Sequence, residues 1–224
     1  MEIIIDKKSY RFEDRLTIEQ WQAVMKYDFT NPFNWPTIIN IVTGVPKDLL
    51  VKGNQDTLEL GAAIIVQMCN ARMQTKIKPM DKLTFGEFVD LDSYLAMGTQ
   101  EWLKAMATIL VDTQWADEAL WAIDQWMNYR LYIFRQYSAL FGLEDQDLQT
   151  DEESTDRPIQ KDAVARNWYK IIVDLAGDDI LRLDAVTEES LIKVLNFLAL
   201  RKEKQMEENM KIMEQNMKLK TQHR

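Results

Sequence analysis

Histidine and cysteine limit the chemistry that one copy of this chain can assemble. The single histidine is His223, beside Arg224, where helix fraying is expected, and the single cysteine is Cys69. A Ser-His-Asp or Cys-His arrangement needs an imidazole held rigidly beside its nucleophile, so none is expected in the core. One Cys and one His are too few for a Cys/His zinc site. The glycines are isolated and no G-K-[ST] occurs, which removes a glycine-rich phosphate loop. Carboxylates remain, in Glu87-Phe88-Val89-Asp90-Leu91-Asp92. On a helix Glu87 and Asp90 share a face while Asp92 points elsewhere. A divalent-metal or acid–base site would need further ligands, so a solvated face with capping residues is the simpler expectation. Asp178-Asp179 follows Gly177 and reads as turn chemistry. No catalytic residue, cofactor or metal ligand is expected.

Cys69 ends the apolar run Ala62-Ala63-Ile64-Ile65-Val66-Gln67-Met68, where a buried, inert thiol and a reducing compartment are expected. The net charge of −9 would repel a phosphate backbone, so direct nucleic-acid binding is not expected. Charge is unevenly placed. From Asp112 to Arg166 there are twelve acidic and five basic residues, whereas from Arg201 to Arg224 seven basic face four acidic. The tail is thus the segment attractive to an acidic partner, including a neighbouring copy. The opening Met1-Glu2-Ile3-Ile4-Ile5 is too short an apolar stretch for a signal peptide, and no run reaches the roughly 18 residues of a membrane span. A soluble protein made in the cytoplasm is expected.

These features must sit on helices. Seven Gly and five Pro in 224 residues leave few breakers, and the expected fold class is mainly α. It comprises a multi-helix domain with a short N-terminal β-hairpin and a long C-terminal helix. Ile3 and Ile5 alternate before a polar turn at Asp6–Ser9, with Tyr10 and Phe12 in the return strand. Leu16-Thr17-Ile18-Glu19-Gln20-Trp21 opens a helix with Thr17 as cap and Gln20 as capping-box partner. Asn31–Pro36 is a break, Thr37–Val42 a short helix closed by Gly44, and Asp56–Met73 a long apolar one. Leu83-Thr84-Phe85-Gly86-Glu87-Phe88 repeats the first opening, through duplication or through recurrence of the same capping physics. Helices follow at Thr99–Leu110, Asp117–Phe141 and Ala163–Asp174, and Thr187 is the expected cap of a last helix reaching about Lys220. Glu144 to Asp156 holds seven acids and reads as a linker. The expected division is a hairpin plus helical domain over 1–143, an acidic linker over 144–157, and a helical segment over 158–224.

The tail carries the most specific pattern. Met206, Met210, Met213 and Met217 fall at spacings of four, three and four, the seam of a heptad repeat. Leu191, Leu195 and Leu198 form a similar stripe upstream, interrupted by Lys202. Two heptads of Met are too weak to dimerise alone but suit docking into a groove. The expected partner-binding residues are Leu198 and the four Met. Three arrangements are open: packing on neighbouring copies, return onto the protein's own core, and a solvated end. Trp102, Trp115, Trp121 and Trp126 crowd one quarter of the chain; most are expected in the core, with one or two free to anchor an interface.

Taken with the strand pair around Tyr10 and the segment Leu16–Trp21, two further stretches resemble small proteins of tailed bacteriophages. They are Ile38-Ile39-Asn40-Ile41-Val42-Thr43-Gly44-Val45-Pro46 and the run from Leu83 to Leu95, so the likeness covers roughly residues 1–110. It implies a non-enzymatic virion-assembly protein, part of an oligomeric ring or connector at the head–tail junction, or alternatively a transient tail assembly chaperone absent from the mature virion. It also implies other copies of the chain and other virion or tail proteins as partners. The implied setting is the host cytoplasm during assembly, and the virion for a structural component. The acidic linker and the Met-seamed tail have no counterpart in that likeness.

Overall fold

The computed structural model describes residues 2–5, 8–11, 13–98, 102–141 and 161–222. The chain is mainly helical. Near its start β1 (Glu2–Ile5) and β2 (Lys8–Arg11) pair antiparallel, Glu2 opposite Arg11 and Ile5 opposite Lys8. Lys8 and Ser9, expected in a turn, are strand residues, and Asp6, Lys7 and Phe12 lie outside the described residues.

Two compact units divide the chain, and neither is continuous: Met1–Lys78 joins Met97–Trp126, and Pro79–Ala96 joins Met127–Arg224. The acidic stretch expected as a linker at 144–157 lies outside the described residues. Packing is the reason for the discontinuous units. Phe85, Phe88 and Ile133 are buried against Trp168, Ile172, Leu191 and Leu195, which ties two mid-chain segments to the C-terminal helices.

The first unit holds α1 (Ile18–Val24), α2 (Trp35–Thr43), α3 (Lys47–Val51), α4 (Gln55–Asn70), α6 (Trp102–Leu110) and the first half of α7 (Ala116–Gln136). Thr17 caps α1 in a complete capping box with Gln20. Helix α2 starts two residues before the expected Thr37, because Pro36 fits the first turn of a helix, where its missing N–H costs nothing. It ends at Gly44, whose φ of 71° is a left-handed value that suits glycine. Helix α4 stops at Asn70, short of Met73. The core includes Trp21, Ile38, Leu103, Met106 and Trp126.

The second unit holds α5 (Phe85–Met97, up to Ala96), the rest of α7, α8 (Ser138–Phe141), α9 (Lys161–Ala176), α10 (Leu183–Thr187) and α11 (Leu191–Gln222). The single helix expected over Asp117–Phe141 is broken at Tyr137. Thr187 ends α10 instead of capping α11, and its hydroxyl donates to the Asp184 carbonyl at 2.9 Å. Trp168 is the hub of this core, edge-on to Phe85, Phe88 and Phe141 at 5.8, 5.9 and 6.0 Å.

The two similar openings have the same tertiary use. In the first unit Thr17 bridges Trp115, the Ile18 N–H donates to the Gln114 carbonyl at 2.8 Å, and Ala116 donates to Leu16 at 2.9 Å. In the second Thr84 bridges Ser190, Phe85 donates to Glu189 at 2.8 Å, and Leu191 donates to Leu83 at 3.3 Å. Each pair of bonds satisfies amides that a helix start leaves open, and it clasps an early helix to a late one. Gly86 is required by this closeness: a Cβ there would lie 2.8 Å from Thr187 Cβ and 3.1 Å from the Thr187 carbonyl oxygen.

Candidate interaction surface

Of the three carboxylates with potential for chemistry, Glu87 and Asp92 have structural tasks. Glu87 accepts from the Thr84 N–H at 3.0 Å while its own N–H donates to Thr84 Oγ1 at 3.1 Å, which completes a capping box. Asp90 stands at the surface, where partial desolvation, helped by the charge of Glu87, raises its carboxyl above the usual range. Asp92 is only 3% exposed. Its Oδ1 accepts from Arg130 Nε at 2.5 Å and its Oδ2 from Trp168 Nε1 at 2.7 Å. A buried carboxylate needs such partners to remain charged. The Arg130 guanidinium also lies 4.2 Å from the Phe134 ring centre. Among the described residues no group of three or more His, Cys, Asp or Glu converges as metal ligands would.

Cys69 is buried, its carbonyl accepts from Trp21 Nε1 at 3.1 Å, and desolvation lifts its thiol from the usual 9.0 to about 11. A neutral thiol is a poor nucleophile. The clustered tryptophans are also structural. Trp126 is fully buried, Trp102 meets Trp21 edge-on at 6.0 Å, and Arg15 stacks 4.8 Å from Trp115 while forking Asp117 at 2.6 and 2.8 Å. None of the four is an exposed anchor.

Among the described residues the far part of α11 carries a periodic row of exposed apolar side chains. Its first turns belong to the core of the second unit, with Leu191 and Leu195 at most 1% exposed. Leu198, expected to face a partner, is half-buried against that same core. Lys202, which interrupts the apolar stripe, donates from Nζ to the carbonyls of Ala139 and Leu140 at the end of α8. Those carbonyls have no partner within their own helix, so a cation there is favourable. Arg201 forks Asp174 on α9 at 2.5 and 3.2 Å. Beneath these two cations lies a cavity of about 310 Å³ whose walls include Phe141, Trp168 and Ile171.

Beyond Lys202 the helix continues to Gln222, and residues 203–215 and Met217 are exposed. At 1.5 Å per residue this arm is about 30 Å long. Met206, Met210, Met213 and Met217 are 56, 58, 67 and 63% exposed. By helical spacing they continue the face that Leu191 and Leu195 bury upstream. An arm folded back onto its own unit, one of the expected arrangements, is not what the structure has.

Several exposed apolar residues carried no sequence signal. Ile180 and Leu181, in a 3-10 turn after Asp179, are 77 and 87% exposed, and Phe197 on α11 is 56% exposed. Phe197 borders a second apolar cavity, of about 230 Å³, with Leu175, Val186 and Val194. Short apolar pairs inside turns look like core residues until the tertiary packing is known. No helix among the described residues is long and apolar enough to cross a membrane. No protein-family model, curated protein or solved structure matches this chain.

Proposed function

We propose that this protein is a non-catalytic assembly component of a tailed bacteriophage, holding copies of itself and other virion proteins together through helical faces. The observation that carries the assembly reading is the arm of α11. Three methionines, Met206, Met210 and Met213, stand more than half exposed along the continuation of a face that is core elsewhere in the same helix. An isolated helix of this kind is marginal in water, and apolar contact with a partner is what stabilises it. Methionine, flexible and polarisable, suits such contact. The phage setting is supported by the resemblance in the first 110 or so residues, and the head–tail ring is the assembly that best uses repeated contacts of one chain with its copies.

The test is the native mass. Size-exclusion chromatography with light scattering on the full chain should give a concentration-dependent oligomer. The triple variant Met206→Glu, Met210→Glu, Met213→Glu should shift the mass toward the monomer while the far-UV helical signal is kept. Mass spectrometry of purified particles should detect the chain. A wild-type chain that stays monomeric at all concentrations and is missing from particles would overturn the proposal.

A further inference from the structure

We infer that the cavity beneath Arg201 and Lys202 binds a small amphipathic carboxylate, with its alkyl chain against the apolar walls and its head at Lys202. The site lies wholly within the second unit and is separate from the exposed methionines of α11. Its volume of about 310 Å³ stands at the low end for a ligand pocket, so the ligand is small. The apolar walls are Leu140, Phe141, Trp168, Ile171, Leu195 and Leu198. Trp168 and Leu195 belong to the core, 5 and 0% exposed, so part of the wall is fixed by packing that needs no ligand.

The polar groups say which end of a ligand goes where. Leu198, Arg201, Lys202 and Gln205 share one face of α11 at steps of three and four residues, and all four line the cavity. Among the described residues of the lining, Asp174 is the one acid, and Arg201 forks it at 2.5 and 3.2 Å, so those two charges offset each other. Lys202 is held differently. Its Nζ donates to the carbonyls of Ala139 and Leu140, which carry no net charge. An ammonium has three donors, so one remains for a ligand, and Gln205 adds a side-chain amide one turn on. The lining therefore carries one net positive charge beside an apolar hollow, which complements a single carboxylate on an apolar chain. A dianionic head would leave its second charge unmatched beside Asp174.

Isothermal titration calorimetry of the full chain with octanoate tests this, with 1-octanol as the probe lacking charge and hexanoate as the shorter one. Octanoate should bind at one site per chain with millimolar or tighter affinity. Hexanoate should bind about fifteenfold more weakly, since each buried methylene is worth about fourfold. 1-Octanol should bind about tenfold more weakly than octanoate, for want of the charge-assisted bond. Lys202→Met keeps the stem, removes the charge and should erase that tenfold preference. Leu198→Trp fills the cavity and should remove binding of both probes, with the far-UV helical signal checked for each variant. A wild-type chain that binds octanoate no better than 1-octanol, or binds neither, would overturn the inference whether or not the variants fold. A folded Lys202→Met protein with unchanged octanoate affinity would also overturn it. The native mass bears only on the assembly reading, so the two proposals fail separately.

Discussion

Removing the Asp92 carboxylate should unsettle the second unit, and by an amount that its surroundings fix. The side chain is 3% exposed and holds two donors, Arg130 Nε at 2.5 Å and Trp168 Nε1 at 2.7 Å. Asp92→Ala strands both. An indole N–H left unpaired in a core costs about 1–3 kcal/mol. Breaking a buried ion pair by removing one partner costs about 3–5 kcal/mol in all. Arg130 keeps 23% of its side chain in contact with solvent, so part of its charge can be rehydrated and the lower end applies, about 3 kcal/mol. Asp92→Asn keeps the shape and one acceptor and should cost about 2 kcal/mol, the difference between a charged and a neutral bond plus one misplaced donor. At about 2–4 °C per kcal/mol for a chain of this size, the Ala variant should melt about 6–12 °C lower. Urea titration followed by near-ultraviolet circular dichroism reports the packing of the aromatic side chains, Trp168 among them, and amide exchange should rise first in α5 and α9. An Asp92→Ala protein as stable as the wild type would refute the structural role. It would also return the carboxylate to the set of groups strained for chemistry, where neutralisation is neutral or stabilising.

Gly86→Ala should destabilise by about 1–3 kcal/mol in a denaturant titration despite alanine's better helix propensity, because the new methyl meets the backbone and Cβ of Thr187 at 2.8–3.1 Å. Cys69 should resist thiol reagents at neutral pH in the native protein and react on unfolding. With its thiol raised to about 11 from 9.0, the native fold favours the protonated form, so this group's contribution to stability is full below pH 9 and is lost as pH rises towards 11. Rapid labelling of native protein at pH 7 would contradict that burial.

Local signals in the sequence translated well wherever the deciding physics was local. Thr17 with Gln20, Thr84 with Glu87, and Gly44 at the end of α2 are decided by backbone amides a few residues away, and each stands where expected. The absence of a second cysteine and a second histidine is equally plain from composition, and so is the four-three-four spacing of methionines in the tail. What failed needed partners distant along the chain. Thr187 resembles a cap by type, but α11 begins only at Leu191, where Leu83 supplies the carbonyl that the Leu191 N–H needs. Burial likewise joins Phe88 to Trp168 across eighty residues, a contact that no local pattern announces.

Sequence alone determined the helical class and the existence of an amphipathic tail, because composition and periodicity act without reference to the rest of the chain. Only tertiary structure decided which part of that tail is core and which is surface. The same helical face is buried at Leu195 and exposed at Met206, and the change falls where Lys202 meets the α8 carbonyls. It also decided that Asp92 serves the core, since a carboxylate's role depends on which donors the fold brings within about 3 Å of it.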